Sequence, residues 1–251
     1  MNDLLEELRG AISTQLNPDE LAWFGTFTDI PLERAFVMAP RKIQRKPLIF
    51  SHLPERMATQ AKAQLWTLDR LVRIYCVLQL DAAAATQKIH TLFDTAELQE
   101  AVALYSSLPY LSHPTEWLLR ATDAIRSNVA HVFAAMALGN PYPASHFSEL
   151  AWNQLVLKAI FNDQPLAEIH GLLERKNLTL AHDICLLAQE RWAAGRRIPA
   201  FAWCLVADMS YPEESQMIAR LAASDDVQDQ RAALFLQQKS PDFSTTWFTL
   251  V

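Results

Sequence analysis

The sequence contains very little glycine. Its 251 residues include only Gly10, Gly25, Gly139, Gly171 and Gly195, and no two of these lie closer than fifteen positions. A Walker A loop needs two glycines five positions apart, and the dinucleotide fingerprint needs three within six, because only a residue without Cβ lets backbone N–H groups approach a phosphate. Both nucleotide sites are therefore excluded in their usual form. The same scarcity argues against sheets joined by tight hairpins.

Cysteine is scarce as well. Cys76, Cys185 and Cys204 are far apart, odd in number and surrounded by apolar residues. This pattern predicts buried free thiols rather than disulfides or zinc ligands, and it fits a reducing compartment.

Long apolar runs are missing. The most apolar segments, around residues 129–138, 155–161 and 201–206, are shorter than the ~20 residues that cross a bilayer. The segment 1–8 opens with acidic residues and lacks the cationic and apolar regions of a secretory signal. We therefore predict a cytoplasmic protein without a transmembrane segment.

Catalytic and metal-binding motifs are absent too. The sequence has no G-x-S-x-G, no cysteine in a polar setting, no H-E-x-x-H and no histidine pair at i, i+4. We predict no metal and no cofactor, and enzymatic activity is unsupported, although a site could be assembled from residues distant in sequence.

The overall composition indicates a globular protein. With 51% hydrophobic residues, 20% charged residues and a net charge of -6, the chain is neither a disordered polyampholyte nor a basic nucleic-acid binder. We expect no nucleic-acid partner. A chain of this length buries roughly 70 to 75% of its unfolded surface, so a substantial core is available.

What the sequence does contain is a succession of helical patterns that start at Pro, Asn, Asp or Ser. Such starts are typical because first-turn amides need an outside acceptor and proline lacks one of those amides. Seven prolines fit the first helical position: Pro18, Pro31, Pro54, Pro114, Pro165, Pro199 and Pro212. The predicted helices lie near 2–16, 18–26, 31–38, 54–80, 81–93, 96–107, 114–138, 147–162, 165–175, 178–194, 199–208, 212–223 and 226–239.

Short connections between these helices predict antiparallel neighbours. We expect residues 1–251 to form one compact all-α domain, a stack of antiparallel helical hairpins resembling an α-solenoid or HEAT-like array. No clean sequence period marks true repeats.

Two segments fall outside this pattern. The basic segment 41–47 ends the N-terminal helical part, residues 1–53, and is interpreted as a solvated loop or as a contact for an anion or acidic surface. The apolar tail 243–251 is expected to dock on the body of the protein or on a partner.

The predicted helix from Pro114 carries the first polar candidates. Helical spacing of its apolar residues places Asn128 on the inward face, with His131 beside it. Buried amides must be paired, so Asn128 and His131 either satisfy loop backbone groups or line a ligand site.

The next block, Asn140-Pro141-Tyr142-Pro143, follows Gly139. We predict that the chain leaves the helix through a left-handed cap and then runs extended, because each proline also restricts the residue before it. Such a rigid elbow turns the chain between helices, and it could also close a cleft with Tyr142.

The predicted helix 147–162 is apolar on the side of Trp152, opposite Asn153, Gln154 and Lys158. Gln154 and Lys158 lie four positions apart, so they could jointly hold an anionic or carbonyl group, or Lys158 could extend its stem to water.

The predicted helix 178–194 buries Trp192 and leaves Arg191 on another face. Gly195 is expected to cap this helix, and Arg196 and Arg197 sit at its negative end.

In this order, four blocks resemble the EboA family: Asn128-Val129-Ala130-His131-Val132-Phe133, Asn140-Pro141-Tyr142-Pro143, Trp152-Asn153-Gln154-Leu155-Val156-Leu157-Lys158-Ala159 and Glu190-Arg191-Trp192-Ala193-Ala194-Gly195-Arg196. The resemblance covers roughly residues 114–205. It implies a small cytoplasmic all-α bacterial protein of secondary metabolism. Its operon neighbours would be a membrane prenyltransferase, a sugar-phosphate-cyclase-like enzyme and metal-dependent hydrolase-like proteins. These operons are linked to metabolite traffic towards the periplasm, and the resemblance implies no reaction.

Three functional classes follow. The first is a non-catalytic adaptor or scaffold that holds proteins of the same operon together. The second is a carrier that shelters a small hydrophobic, possibly prenylated, precursor in a helical cleft. The third, placed last, is an enzyme with an unrecognised site. The candidate ligand-binding residues are Asn128, His131, Tyr142, Trp152, Asn153, Lys158, Arg191 and Trp192.

Overall fold

The computed structural model describes residues 2–207 and 214–238. Within these ranges all regular elements are helices, fourteen α-helices and six 3-10 helices, so the all-α prediction is confirmed. Stacking of hairpins into a solenoid stays a prediction. None of the helices described is both long and apolar enough to span a membrane. The chain divides into two compact units, Met1–Phe147 and Ser148–Val251, which are taken separately below. The prediction of one domain over the whole chain stays a prediction.

The first unit contains ten α-helices and four 3-10 helices. The α-helices are α1 (Asn2–Ser13), α2 (Pro18–Gly25), α3 (Leu32–Lys42), α4 (Glu55–Ala63), α5 (Leu68–Ala82), α6 (Thr86–Thr95), α7 (Leu98–Ser107), α8 (Leu118–Arg126), α9 (Ala130–Ala137) and α10 (Pro141–His146). The 3-10 helices are Thr26–Thr28, Phe50–His52, Leu108–Tyr110 and Pro114–Trp117.

Helix α5 is the core of the first unit. Twelve of its fifteen residues are buried, and α1, α3, α6 and α7 pack around it. Arg73 is one of the buried residues; its Nε donates to the carbonyl of Phe36 on α3 at 3.1 Å, and its guanidinium lies 3.6 Å from Glu100 on α7. A buried charge is tolerated only when it is paired and hydrogen-bonded, so Arg73 fixes three helices together.

A single helix over 54–80 was a wrong prediction. The structure interrupts it between α4 and α5, where Leu65 has a left-handed φ of 50°. A leucine tolerates this conformation only where its surroundings hold it. Here the backbone N–H groups of Leu65 and Trp66 donate to the carbonyls of Lys62 and Ala61 and close the end of α4.

Gln64 anchors this turn to the neighbouring helices. Its Nε2 donates to the carbonyls of Ala135 and Leu138 at 2.9 and 2.8 Å. Its Oε1 accepts from Trp66 Nε1 and from Ser106 Oγ, both at 2.8 Å. One amide therefore satisfies backbone groups that no helix can pair, which sequence periodicity cannot reveal.

The basic segment is partly fastened to the N-terminal helices. Lys46 Nζ donates to the carbonyl of Gln15 at 2.6 Å, and the backbone N–H of Gln44 donates to Glu20 Oε1 at 2.7 Å. Arg45 is exposed, as expected for a solvated loop. Arg41 and Lys42 are exposed too, but they form the last turn of α3, so the prediction of an irregular segment from residue 41 was wrong.

The turn at Gly139 allows a close approach to α4. Gly139 has a φ of 61°, as predicted for a left-handed cap, and a Cβ placed there would lie 2.8 Å from Cα of Gln60 and 2.9 Å from Cβ of Ala63. Only glycine fits both the dihedral angle and the contact.

The extended elbow after Gly139 was a wrong prediction, because residues 141–146 form α10. Asn140 Oδ1 accepts the N–H of Tyr142 at 2.9 Å, and Pro141 occupies the start of the helix. Proline is acceptable in a first turn because the N–H that it lacks would have no partner within the helix.

Two of the seven prolines start helices as predicted, Pro18 in α2 and Pro114 in a 3-10 helix. The others that are described take the cap position one residue earlier: Pro31, Pro54, Pro165 and Pro199. Proline fixes φ but leaves ψ free, so the more extended cap conformation is equally accessible to it.

The second unit contains α11 (Glu149–Phe161), α12 (Leu178–Ala193), α13 (Glu214–Ala222) and α14 (Val227–Gln238), with 3-10 helices Leu166–Glu168 and Ala200–Leu205. Helix α11 packs on α12, and α13 packs on α14. The helices predicted near 165–175 and 199–208 are present only as these shorter 3-10 helices. The predicted starting residue Pro212 and the tail 243–251 lie outside the described residues.

The buried face predicted for α11 is confirmed: Trp152, Leu155, Val156, Ala159 and Ile160 are all fully buried. The prediction of buried free thiols is also confirmed for Cys76, Cys185 and Cys204.

We expect Gly139→Ala to destabilise the protein by roughly 2–4 kcal/mol, because the new Cβ meets the backbone of α4 and alanine is strained at positive φ. Gly195→Ala is the matched control: its φ is 69°, but a Cβ there meets nothing within 4 Å, so a loss of about 1 kcal/mol is expected. Urea unfolding of both variants provides the comparison. Equal losses would contradict the close approach at Gly139.

We expect the folded protein to resist thiol labelling at pH 8. Burial raises the pKa of Cys76 and Cys204, the latter to about 12, so neither forms the reactive thiolate at that pH. Ellman's reagent should label no thiol in buffer and all three in denaturant. Rapid labelling of the folded chain would show that a cysteine is accessible.

Candidate functional site

Asn128 and His131 lie in the first unit, where α8 gives way to α9. The helix predicted over 114–138 is interrupted at residues 127–129, and Ser127 Oγ accepts the N–H of Val129 at 3.1 Å. This local hydrogen bond competes with the helix and changes the phase of the residues that follow. Asn128 and His131 are therefore exposed, and the inward placement of Asn128 was a wrong prediction.

Tyr142 is buried in the first unit, with 1% of its surface exposed. Its hydroxyl donates to the backbone carbonyl of Pro114, and its ring lies 4.8 Å from that of His146. Burial raises the pKa of Tyr142 to about 12. The hydroxyl thus fixes α10 to the segment before α8.

The other five candidates belong to the second unit, and two of them lie where α11 meets the start of α12. Trp152 is fully buried, and the guanidinium carbon of Arg175 lies 4.7 Å from its ring centroid. Stacking of a cation on an aromatic face stabilises this junction.

Asn153 was predicted on the polar face of α11, and this was wrong because it is 3% exposed. Its amide exchanges two hydrogen bonds with the amide of Asn177, at 2.9 and 3.2 Å. Asn177 Oδ1 in turn accepts the N–H of Leu180 at 2.8 Å and caps α12. A paired amide can be buried, which helical periodicity alone does not anticipate.

Lys158 is half-buried on α11, and burial lowers the pKa of its ammonium. Gln154, one turn earlier, is exposed.

Arg191 joins the end of α12 to the end of α11. Its Nε donates to the carbonyl of Arg197 at 2.6 Å and its NH1 to the carbonyl of Phe161 at 3.0 Å. Its NH2 lies 3.2 Å from Asp163 Oδ1. The carbonyl of Phe161 ends α11 and has no partner within that helix, and the carbonyl of Arg197 belongs to the irregular segment after α12. The guanidinium fork therefore satisfies one helix-end acceptor, one loop acceptor and one carboxylate.

Trp192, the next residue, borders a cleft in the second unit. Its ring stacks on that of Trp203, with centroids 5.9 Å apart and planes 20° apart. The guanidinium carbon of Arg220 on α13 lies 4.6 Å from its ring centroid. The cleft has a volume of 410 Å³, and we call it the Trp192 cleft; its lining is Trp192, Gly195, Arg196, Arg197, Arg220, Ala223, Ser224, Asp225 and Asp229.

One of the three arginines in this lining is tied to the wall. Arg197 forms an ion pair with Asp226 and lies 3.6 Å from Asp229 Oδ2. The backbone N–H of Gln228 donates to Asp226 at 2.7 Å, and this bond, together with Arg197, lowers the pKa of that carboxyl. The pair closes the loop between α13 and α14.

Arg196 and Arg220 are placed differently. Both are exposed, and no carboxylate within the described ranges pairs with either guanidinium. An arginine presents planar donors that match carboxylate and phosphate oxygens, and the edge of the Trp192 ring offers apolar surface beside them. The chemistry of the cleft therefore favours a small anion.

In the part of the chain that the structure describes, no three His, Cys, Asp or Glu side chains are grouped so that they could hold a metal ion.

The sequence located Trp192 but not the opposite wall of its cleft. Arg196 and Arg197 stood out only as charges at a helix end, while Arg220 and Ser224 lie in later segments. Only packing of α13 and α14 reveals that these residues share a cleft.

Comparison with known proteins gives one match. A family model described as "Metabolite traffic protein EboA" matches residues 5–207. No curated protein and no solved structure matches significantly. The matched stretch includes Trp192 and Arg196 and ends before Arg220.

We expect Arg191→Ala to destabilise the protein by about 2–3 kcal/mol, because the carbonyls of Phe161 and Arg197 and a carboxylate lose charged hydrogen bonds. Arg196→Ala, five positions away and without a side-chain partner among the described residues, should change stability by less than about 0.5 kcal/mol. Urea unfolding followed by far-UV circular dichroism measures both. A neutral Arg191→Ala would refute the positioning role of Arg191.

Proposed function

The chain belongs to the EboA family of metabolite traffic proteins, and we propose that it acts as a carrier that reversibly binds a small anionic metabolite in the Trp192 cleft. The observation that carries this proposal is the pair Arg196 and Arg220, two guanidiniums without carboxylate partners among the described residues, beside the ring of Trp192.

Size and chemistry both support a small-molecule ligand. The volume of 410 Å³ falls within the roughly 300–1,000 Å³ that is typical of ligand pockets. The two guanidiniums would hold carboxylate or phosphate oxygens, and the edge of Trp192 would contact the apolar part of the ligand.

Of the eight residues predicted from the sequence, we propose that Trp192 contacts the ligand and that Arg191 positions the end of α12 from which Trp192 and Arg196 project. Ligand contacts by Asn128, His131, Tyr142, Trp152, Asn153 and Lys158 stay predictions. The proposed carrier is non-catalytic and acts in the cytoplasm.

An adaptor that holds proteins of the same operon together is the second candidate, and a solenoid-like stack of hairpins would suit it. Its support is a set of leucines that are largely exposed: Leu65 at 76%, Leu119 at 71% and Leu150 at 70%. Single exposed leucines are common on monomers, so their exposure alone does not identify an adaptor. The composition of the complexes that contain this chain decides whether partner proteins cover them.

The experiment is native mass spectrometry of the protein purified gently from its own host. We expect the chain to carry a reproducible additional mass in the small-molecule range. A bare chain that arrives only in complexes with co-purified operon proteins would overturn the carrier proposal and favour the adaptor.

Variants localise the ligand. Arg196→Ala and Arg220→Ala should each reduce the ligand-bound fraction, because loss of one charged hydrogen bond weakens binding about tenfold or more. The control is Arg126→Ala, which removes an exposed arginine of the first unit that pairs with Asp123. Equal ligand occupancy in all three variants would exclude the Trp192 cleft as the binding site.

A further inference from the structure

The first unit contains a second cleft, of different chemistry, that none of the sequence motifs marks. It lies where α1, α2, the start of α3 and the second half of α5 meet, and its volume is 380 Å³. Its residues are Leu5, Arg9, Phe24, Gly25, Phe27, Thr28, Leu32, Tyr75, Gln79, Ala82 and Ala83, and we call it the Tyr75 cleft.

The walls of the Tyr75 cleft are mainly apolar and aromatic. The ring of Phe24 lies 4.9 Å from that of Phe27 and 5.4 Å from that of Tyr75, measured between centroids. Leu5 and Leu32 add aliphatic surface. A wall of this kind favours burial of a hydrocarbon or ring rather than of a sugar or a free inorganic ion.

Tyr75 places a hydrogen-bond donor without an acceptor in this apolar setting. The residue is 4% exposed, and its hydroxyl oxygen accepts from Gln79 Nε2 at 3.1 Å. A phenol can also donate, yet within the described ranges no acceptor receives this proton. Unsatisfied buried polar atoms are costly and mark places where a ligand can supply the missing partner.

Arg9 brings positive charge to the same place. It lines the cleft, its side chain is exposed, and no carboxylate of the described residues forms an ion pair with it. Its charge acts on the hydroxyl of Tyr75: burial, the larger effect, raises the pKa of that phenol, while Arg9 opposes the rise. A cleft lined by both a hydroxyl donor and a guanidinium can accept a carboxylate.

We infer that the Tyr75 cleft binds a small apolar carboxylate, with the carboxylate held by Tyr75 and Arg9 and the hydrocarbon or ring packed against Phe24 and Phe27. This inference is independent of the proposed function, because every residue that it uses belongs to the first unit. The site would prefer a ligand that joins a carboxylate to an apolar group, because Tyr75 and Arg9 recognise the carboxylate and Phe24 and Phe27 recognise the apolar group.

The test is a titration of the full-length protein with phenylacetate, followed by ligand-observed NMR. Phenylacetamide has the same ring but no charge, and acetate has the charge but no ring. We expect phenylacetate to bind at least tenfold more tightly than either of them. Equal affinity for phenylacetate and phenylacetamide, or absence of phenylacetate binding, would overturn the inference.

Two variants assign the contacts. Tyr75→Phe keeps the ring and removes the donor, and Arg9→Gln changes an exposed residue whose loss should leave the fold intact; each should weaken phenylacetate binding about tenfold. Arg126→Gln serves as a control for a change of surface charge. If circular dichroism shows that Tyr75→Phe disturbs folding, the test rests on Arg9→Gln. Unchanged affinity of Arg9→Gln for phenylacetate would refute the site.

Failure of this site and failure of the proposed carrier site are distinguishable. Arg196→Ala should leave phenylacetate binding unchanged. Loss of binding in that variant would show that phenylacetate binds in the Trp192 cleft and would overturn the inference.

Discussion

Hydrogen bonding of the backbone between helices is the constraint on which the rest of this structure depends. A helix pairs its own interior N–H and carbonyl groups, but the turns and helix ends of a chain with many short helices leave polar groups without partners. Amide side chains supply several of those partners. Gln64 serves the turn between α4 and α5, Asn140 caps α10, and Asn177 caps α12 with the support of Asn153.

Charged side chains extend the same principle where more than one helix must be joined. Arg73 binds a carbonyl of α3 and a carboxylate of α7 from the centre of the first unit. Arg191 binds the last carbonyl of α11 and a carbonyl of the segment after α12 in the second. Both guanidiniums are multidentate, so one side chain fixes several backbone segments. Several of the blocks that carry the family resemblance therefore contain residues with a clear structural task, which is why their conspicuous polarity is not in itself a sign of catalysis.

The two clefts are features of surfaces that this framework leaves open. The Trp192 cleft combines a stacked indole with arginines that the framework does not use, and it favours an anion. The Tyr75 cleft combines aromatic walls with a phenol donor and one cation, and it favours an anion with an apolar body. Both chemistries are compatible with a protein of metabolite traffic, and neither requires a catalytic group, a metal or a nucleotide loop.

By itself the sequence determined the helical class, the buried face of α11, the buried thiols, the left-handed turn at Gly139 and the family. These follow from periodicity, from glycine placement and from ordered motifs, which are local properties of the chain. The tertiary structure alone decided that Asn128 faces solvent, that Asn153 is buried and that residues 54–80 form two helices. The burial of Asn153 and the turn after α4 depend on side-chain hydrogen bonds to residues distant in sequence, whereas at Asn128 a short-range hydrogen bond between Ser127 and Val129 interrupts the helix. The candidate sites show the same division. Trp192 stood out in the sequence, but Arg220 joins it only through packing of α13. Arg9 and Tyr75, which line one cleft, are sixty-six positions apart in the chain. Local periodicity carries no information about such pairs, because they form only when separate helices pack together.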